Sequence, residues 1–225
     1  MKNIGFRILP MNHRPSQDLV DQFRDVVTPH ISDNLNRMQA VSSSLRPYHE
    51  RGKLLGVALT VKTRPGDNLM VHKAIDMAQT GDVIVVDAGG DTTNAIVGEI
   101  MLRLAEKRGV TGFVIDGAIR DTAAFAEGKF PVYAKGITHR GPYKDGPGEI
   151  NVPVSIGGMI VHPGDIIVGD EDGLVSVSPK DAERLLTLIH QQQMHEKSIL
   201  ESIENGTISR DWVDQVLKQK GCELG

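Results

Sequence analysis

The sequence is poor in the residues that announce several common activities. One cysteine, Cys222, among 225 residues leaves no intramolecular disulfide and no centre built on several thiolates. That usage suits a reducing compartment, and a cytoplasmic location is the expectation. Aromatic residues make up 4% of the chain, with one tryptophan, too few for a platform that stacks single-stranded nucleic acid. Positive charge is not in excess either. The net charge of −4 offers no basic footprint, so nucleic acid is not an expected partner. No stretch approaches the roughly 18 apolar residues of a membrane span. The opening MKNIGFRILP has neither the apolar run nor the cleavage site of a signal peptide. His72, His139, His162, His190 and His195 are scattered, and no H-x-x-x-H or H-E-x-x-H spacing occurs, which argues against a zinc hydrolase. G-x-S-x-G is absent, so Ser42-Ser43-Ser44 has no nucleophile-elbow context. No linker, repeat or low-complexity tract divides the chain. One domain over residues 1–225 is expected, with a core of about 27–188 and a helical extension over 180–225.

What is present is a run of α/β signals. Leu19, Val20, Phe23, Val26 and Val27 recur at helical spacing after Ser16, a suitable N-cap. SDNLNRM predicts a second short helix after Pro29, capped by Ser32 or Asp33. LLGVALTVKT reads as a strand and NLMVHKAIDMAQ as a helix. DVIVVD and GFVID are buried-strand runs. Between them EIMLRLAEKRG predicts a helix with Ile100, Leu104 and Ala105 inward, stopped by Gly109. Strand, helix and strand make a βαβ unit with parallel strands. Beyond Asp121, short β runs separated by Pro-Gly-Asp and Glu-Asp-Gly turns predict a mixed or antiparallel β-rich layer. A long helix from Lys180 to about Ile203 follows, with a further helix in the tail.

Parallel sheets bind ligands beyond the C-terminal ends of their strands. Three segments are expected to meet there: the loop Ala88 to Val97, the helix start at Gly98-Glu99, and the loop Gly117 to Asp121. A helix start offers open N–H groups and a positive dipole end to a carboxylate or phosphate, and Gly98 allows close approach. Arg120 adds a planar fork for a carboxylate. Asp121, with Glu99 and water, adds hard oxygens suited to Mg²⁺ or Mn²⁺. The same residues have plainer uses. Asp121 can N-cap a helix over TAAFAEG, Glu99 suits the helix dipole, and Gly89 and Gly90 can simply make a tight turn. Asp87 and Asp91 fit turn chemistry. Lys62 and Lys135 read as surface or strand-end residues, and His139-Arg140 as an exposed pair or a pocket rim.

The stretch GDVIVVDAGGDTTNAIVGEIMLRLAEKRGVTGFVIDGAIRDTAAF resembles the family of 4-hydroxy-4-methyl-2-oxoglutarate aldolases and the regulator of ribonuclease activity A (RraA). Its mark is an acidic residue, twenty intervening residues and Arg-Asp. Here these are Glu99, Ile100 to Ile119, and Arg120-Asp121. ISDNLNRM and HPGDIIVGDEDGLVSVSP extend the likeness over roughly Val27 to Leu188. The resemblance implies a swivelling β/β/α (RraA-like) fold, with a parallel βαβ core, a β-rich second layer and flanking terminal helices, assembled as a homotrimer or hexamer. It implies a divalent-metal-dependent class II pyruvate aldolase with oxaloacetate decarboxylase activity, acting on a small 2-oxo acid. The backbone of Gly98, Glu99, Ile100 and Met101 would hold the pyruvate carboxylate. Arg120 would contact the substrate and steady the enolate, Asp121 would ligate the metal, and Glu99 would hold metal-bound water. The acidic position is Glu where some members have Asp. An acid near the C-terminus of a neighbouring subunit completes the aldolase site. Glu196 is the candidate, or it is one more solvated helix residue. The alternative within the same fold is a non-catalytic protein-binding regulator of ribonuclease activity. Methyl transfer, a label some members carry, lacks a G-x-G-x-x-G loop here.

Overall fold

Alternation decides how the central strands pack. Along DVIVVD, Val83 and Val85 point to one face while Ile84 and Val86 point to the other, and Val114 opposes Phe113 and Ile115 in the same way. A strand apolar on both faces must be covered on both. The computed structural model describes residues 3–50 and 52–223. In chain order its elements are β1 (Arg7–Ile8), α1 (Gln17–Asp21), α2 (Thr28–Asn34), β2 (Arg46–Pro47), β3 (Leu54–Thr63), α3 (Leu69–Met77), β4 (Asp82–Asp87), β5 (Ala95–Val97), α4 (Glu99–Lys107), β6 (Gly112–Ile119), α5 (Thr122–Glu127) and β7 (Val132–Ile137). There follow β8 (Gly148–Ile150), β9 (Val154–Ile156), β10 (Met159–Val161), β11 (Ile166–Asp170), β12 (Gly173–Val177), α6 (Ala182–Glu204) and α7 (Asp211–Gln219).

The strands β3, β4, β6 and β7 are adjacent and parallel. Their crossovers carry α3, α4 and α5, whose apolar faces cover one side of the sheet through Met70, Val71, Met101, Leu102, Ala105 and Phe125. The antiparallel β9–β10 hairpin covers the other side through Val154, Ile156, Met159 and Val161. The layers are therefore helices, sheet and hairpin, a β/β/α arrangement. β8 joins β3 antiparallel, and the β11–β12 hairpin extends the sheet from the other part of β3. A third core lies under α1, α2 and α6, where Phe23, Ile31, Val168, Leu185 and Ile189 meet. The β-rich layer expected beyond Asp121 is thus present, and it is mixed.

Several local expectations need correction. The first helix ends at Asp21, and i→i+3 turns at Phe23, Arg24 and Val26 keep the apolar face inward beyond it, with Val27 left exposed. The second helix begins at Thr28, not at Ser32 or Asp33, and takes Pro29 into its first turn. Its cap comes from far along the chain: Asp170 accepts from the Thr28 N–H at 2.7 Å and the Thr28 hydroxyl at 2.5 Å. In α4, Ala105 is buried as expected, but Ile100 is 73% and Leu104 48% exposed, while Met101 and Leu102 are buried. Both stripes obey the 3.6-residue period, and the contacts of α4 with α3 and α5 select between them. Burying Met101 and Leu102 contributes about 1.5–3 kcal/mol each. Finally, β6 runs on to Ile119, so Gly117 is strand rather than loop, and β5 lies within the expected Ala88 to Val97 loop. β5 pairs parallel with the end of β6, and the β6–β7 register shifts between Ile115 and Ala118.

Asp170→Ala removes the acceptor for two Thr28 donors. It is expected to lower the unfolding free energy by about 1–2 kcal/mol, read from urea denaturation. An unmoved midpoint would show that the cap contributes nothing.

Candidate active site

The four parallel strands end at one edge, so the segments that follow Thr63, Asp87, Ile119 and Ile137 gather there. At that edge Asn68, His72, Val97, Gly98, Ile100, Met101, Arg120, Asp121 and Lys144 line a cavity of about 120 Å³. At roughly 30 Å³ per water in the liquid it holds about four water-sized groups. A three-carbon oxo acid fits.

Asp121 sets the geometry. Its carboxylate does not cap α5, whose N-cap position it occupies; Oδ2 instead accepts from the Glu99 N–H at 3.0 Å and so caps α4. The backbone of Asp121 is left-handed, with φ 57° and ψ 41°, a region Asp tolerates better than most residues. The reach crosses Gly98, where a Cβ would lie 2.5 Å from Asp121 Oδ2 and 3.0 Å from Arg120 Cγ. Gly98 is extended, so close approach rather than backbone freedom demands glycine there. Arg120 is pinned by its N–H, which donates to Val97 O at 3.0 Å. Its guanidinium stands 3.7 Å from Asp121 Oδ2, with both side chains over 40% exposed. Such an exposed pair is weak, and the guanidinium keeps donors for a ligand. The helix-start N–H groups of Ile100 and Met101 have no protein acceptor among the described residues.

The opposite wall is rigid. Asp67 is fully buried, and its carboxylate accepts from Leu69 N–H at 2.9 Å, Asp145 N–H at 2.7 Å and Gly146 N–H at 2.9 Å. Burial pushes its pKa up, but these three donors and Arg64 outweigh burial and hold it below the usual carboxylate value. Asn68 and Tyr143 are tied through Asn68 N–H to Tyr143 O and Tyr143 N–H to Gly66 O. Lys144 is thereby fixed at the rim. Asn68 donates to Ile96 O at 2.9 Å, while its Oδ1 is buried without a partner among the described residues. Burial first, and then Lys144, lower the pKa of His72, which is therefore neutral at pH 7.

A family model described as RraA-like (Aldolase/RraA) matches residues 28–176. The chain belongs to the RraA-like family. A Halalkalibacterium halodurans protein is 40% identical over 85% of this chain and 91% of its own; its name, 4-hydroxy-4-methyl-2-oxoglutarate aldolase, is provisional. A Thermus thermophilus 4-hydroxy-4-methyl-2-oxoglutarate aldolase is 32% identical over 66% of this chain and 90% of its own. The solved structure of Streptomyces coelicolor RraAS2, described as an unusual member of the RNase ES inhibitor RraA family, is 27% identical. It superposes with a TM-score of 0.74 over 83% of this chain and 98% of its own.

Within this RraA-like chain the cavity brings together Gly98, Ile100, Met101, Arg120 and Asp121. Glu99 differs. Its N–H is taken by Asp121, and its half-exposed carboxylate lies 3.4 Å from Arg103 on its own helix. Within its own chain Glu196 bonds His30 Nε2 at 2.7 Å and Gln192 Nε2 at 2.8 Å and does not line that chain's cavity; the expected role was toward a neighbouring subunit. No group of three or more His, Cys, Asp or Glu side chains able to hold a metal occurs among the described residues. Asp121 has one oxygen capping α4 and is 46% exposed to water. This donor set fits a hard cation that keeps most of its waters, not a caged one. Asp87 and Asp91 serve turns, accepting from Gly89 N–H and Thr93 N–H. Lys135 lies 3.6 Å from Asp116. Asn68, His72 and Lys144 were not picked from the sequence as parts of this site. The signal for the first two was available: β3, α3 and β4 form a second βαβ unit, which delivers the start of α3 to the same edge.

Asp67→Asn leaves buried N–H groups short of acceptors and is expected to cost about 1–3 kcal/mol at neutral pH. A carboxylate with a lowered folded pKa stabilises above its unfolded value, here 3.8, and loses that contribution as pH falls through the lower folded value. The gap between variant and parent in denaturation experiments should therefore shrink below about pH 3.8. A gap independent of pH would rule out the charged pin.

Proposed function

We propose that this protein is a divalent-metal-dependent pyruvate aldolase. It cleaves 4-hydroxy-2-oxo acids such as 4-hydroxy-4-methyl-2-oxoglutarate to pyruvate and decarboxylates oxaloacetate as a companion activity. The observation that carries this reading is one small cavity walled by Arg120, Asp121, Lys144 and the open N–H groups of Ile100 and Met101. Two cationic side chains and a helix start suit the carboxylate of a 2-oxo acid. The aldolase names of the relatives point the same way.

The chemistry asks for a place to put negative charge. The C4 hydroxyl gives its proton to water in the solvent-open site, and that oxygen becomes a carbonyl. The C3–C4 bond breaks, its electron pair passes to the pyruvate enolate, and C3 then takes a proton. Arg120 donates where the enolate charge develops, in a site already oriented before reaction. The N–H groups of Ile100 and Met101 orient the carboxylate, with Lys144 as its second counter-charge. His72, neutral at pH 7, adds no charge that would compete with them. A Mg²⁺ or Mn²⁺ ion held through Asp121 would supply Lewis acidity toward the oxo and carboxylate oxygens. In this reading Glu99 contributes through its solvent-facing carboxylate, by way of water. Assembly as a trimer or hexamer and a cytoplasmic setting belong to the same proposal. So does the absence of nucleic-acid and membrane partners; no helix among the described residues is long and apolar enough to cross a membrane. A non-catalytic regulator has no use for an anion clamp beside a hard oxygen donor, so the enzyme reading is favoured.

Arg120→Ala and Asp121→Ala should each lower pyruvate release from oxaloacetate by about 10²–10³-fold. EDTA should do so reversibly, with recovery on adding Mg²⁺ or Mn²⁺. Full turnover in excess EDTA would refute the metal requirement. Undiminished turnover by the Arg120 variant would refute the clamp.

A further inference from the structure

Cleavage leaves C3 of the enolate in need of a proton, and two polar groups on the cavity wall, Asn68 and His72, have no other task there. A three-carbon acid has few ways to fill so small a space. Its carboxylate goes to the Ile100 and Met101 N–H groups and Lys144, and its oxo oxygen goes to Arg120 and an ion at Asp121. C3 is then left for the remaining wall, at the start of α3. We propose that His72 is the acid and base at C3: its imidazole removes a methyl proton from pyruvate and returns one to the enolate in cleavage. This rests on the pyruvate aldolase reading above.

The placement follows from α3. Asn68 stands at the N-cap and His72 one turn on, and the His72 N–H donates to Asn68 O at 3.1 Å. Residues four apart share a helix face. That face is turned to the start of α4, because Asn68 Nδ2 donates to Ile96 O at 2.9 Å and reaches Met101 Sδ at 3.3 Å. The imidazole and the open N–H groups of α4 therefore flank one small space. Asn68 Oδ1, on the same wall, is buried without a partner among the described residues. A buried acceptor calls for a donor. Pyruvate brings none, so water fits there, on the wall that carries the ring. Burial and Lys144 keep the ring neutral at pH 7 against the pull of Asp76, and no hydrogen bond to the protein engages it. Arg120 and Asp121 line the same cavity. A neutral imidazole accepts a proton, and its conjugate acid is strong enough to release it. The step balances. The C3–H electron pair enters the enolate, whose charge Arg120 meets, and the proton sits on the ring until C3 takes it back. In cleavage the ring draws its proton from the water that received one from the C4 hydroxyl.

The test follows two reactions with Mg²⁺ for the parent, His72→Asn and His72→Gln. One is exchange of the pyruvate methyl protons in D₂O, which requires proton removal from C3. The other is CO₂ release from oxaloacetate in a single turnover, which makes the same enolate with no proton to remove. The parent should do both. In each variant the ratio of exchange to CO₂ release should fall by about 10²–10⁴-fold, the contribution of a positioned acid–base group, mainly through kcat. An unmoved ratio, with both rates retained or both lost in a folded variant, overturns the inference. If neither variant folds, the parent decides. Its kcat/KM for exchange should fall as pH drops through a value below 6.5, where the imidazole takes up a proton. A profile flat over the range in which imidazoles titrate overturns the inference. A parent that releases CO₂ but exchanges no methyl proton overturns it too and leaves the aldolase reading standing. A parent that does neither overturns both.

Discussion

The hydrogen bond from the Glu99 N–H to the Asp121 carboxylate holds the site in shape. It joins the start of α4 to the end of β6, elements that share an edge because β4 and β6 are adjacent and parallel. It forces glycine at position 98, since any side chain would occupy the path of the carboxylate. It satisfies one N–H of the helix start and leaves the next two for a ligand. The rotation that packing on α3 and α5 gives this helix sends Met101 and Leu102 into the core and brings Ile100 to the cavity. One contact of 3.0 Å thus connects backbone geometry and ligand chemistry.

The two walls of the cavity differ in kind. Asp67 is buried and saturated with backbone donors, so it fixes the chain and has no capacity left for a ligand. Arg120 and Asp121 are half-exposed and loosely paired. A tight buried pair between them would consume the guanidinium and make its release to substrate costly, because breaking a buried pair leaves an uncompensated charge. Water keeps the pair weak until a substrate displaces it. Exclusion of that water then strengthens each electrostatic contact made to the enolate.

Much of this was legible in the sequence, because local pattern carried it. The run LLGVALTVKT is β3 to the residue, and the DVIVVD and GFVID runs mark β4 and the body of β6. The edge where Gly98, Arg120 and Asp121 meet follows from the βαβ rule. What escaped was fixed by partners distant in sequence. The start of α2 depends on Asp170, 142 residues from Thr28. The phase of α4 depends on α3 and α5. The last residues of β6 become strand because β5 and β7 pair with them, whatever Gly117 suggests locally. Lys144 reaches the cavity only because Asp67 pulls its loop in, and no spacing rule links position 67 to position 144.

Backbone strain bears on whether the edge is built for chemistry. Asn36, Arg37, Asp121 and Asn151 are the non-glycine residues with positive φ among those described. Conformations of this class cost on the order of 1–3 kcal/mol and persist where surroundings over-determine them. At Asp121 the determinants are the Arg120 N–H bonded to Val97 O, the Ala124 N–H bonded to Asp121 O, and the carboxylate bonded to Glu99 N–H. The plain alternative was an aspartate capping α5. That would have needed no left-handed residue and no bare Cα at position 98. The chain instead turns the carboxylate back across Gly98, beside a guanidinium and on the wall of the cavity. A protein that needed only a helix cap would gain nothing from that arrangement. A protein that must hold a hard oxygen and a cationic fork on the same few ångströms of surface gains both at once.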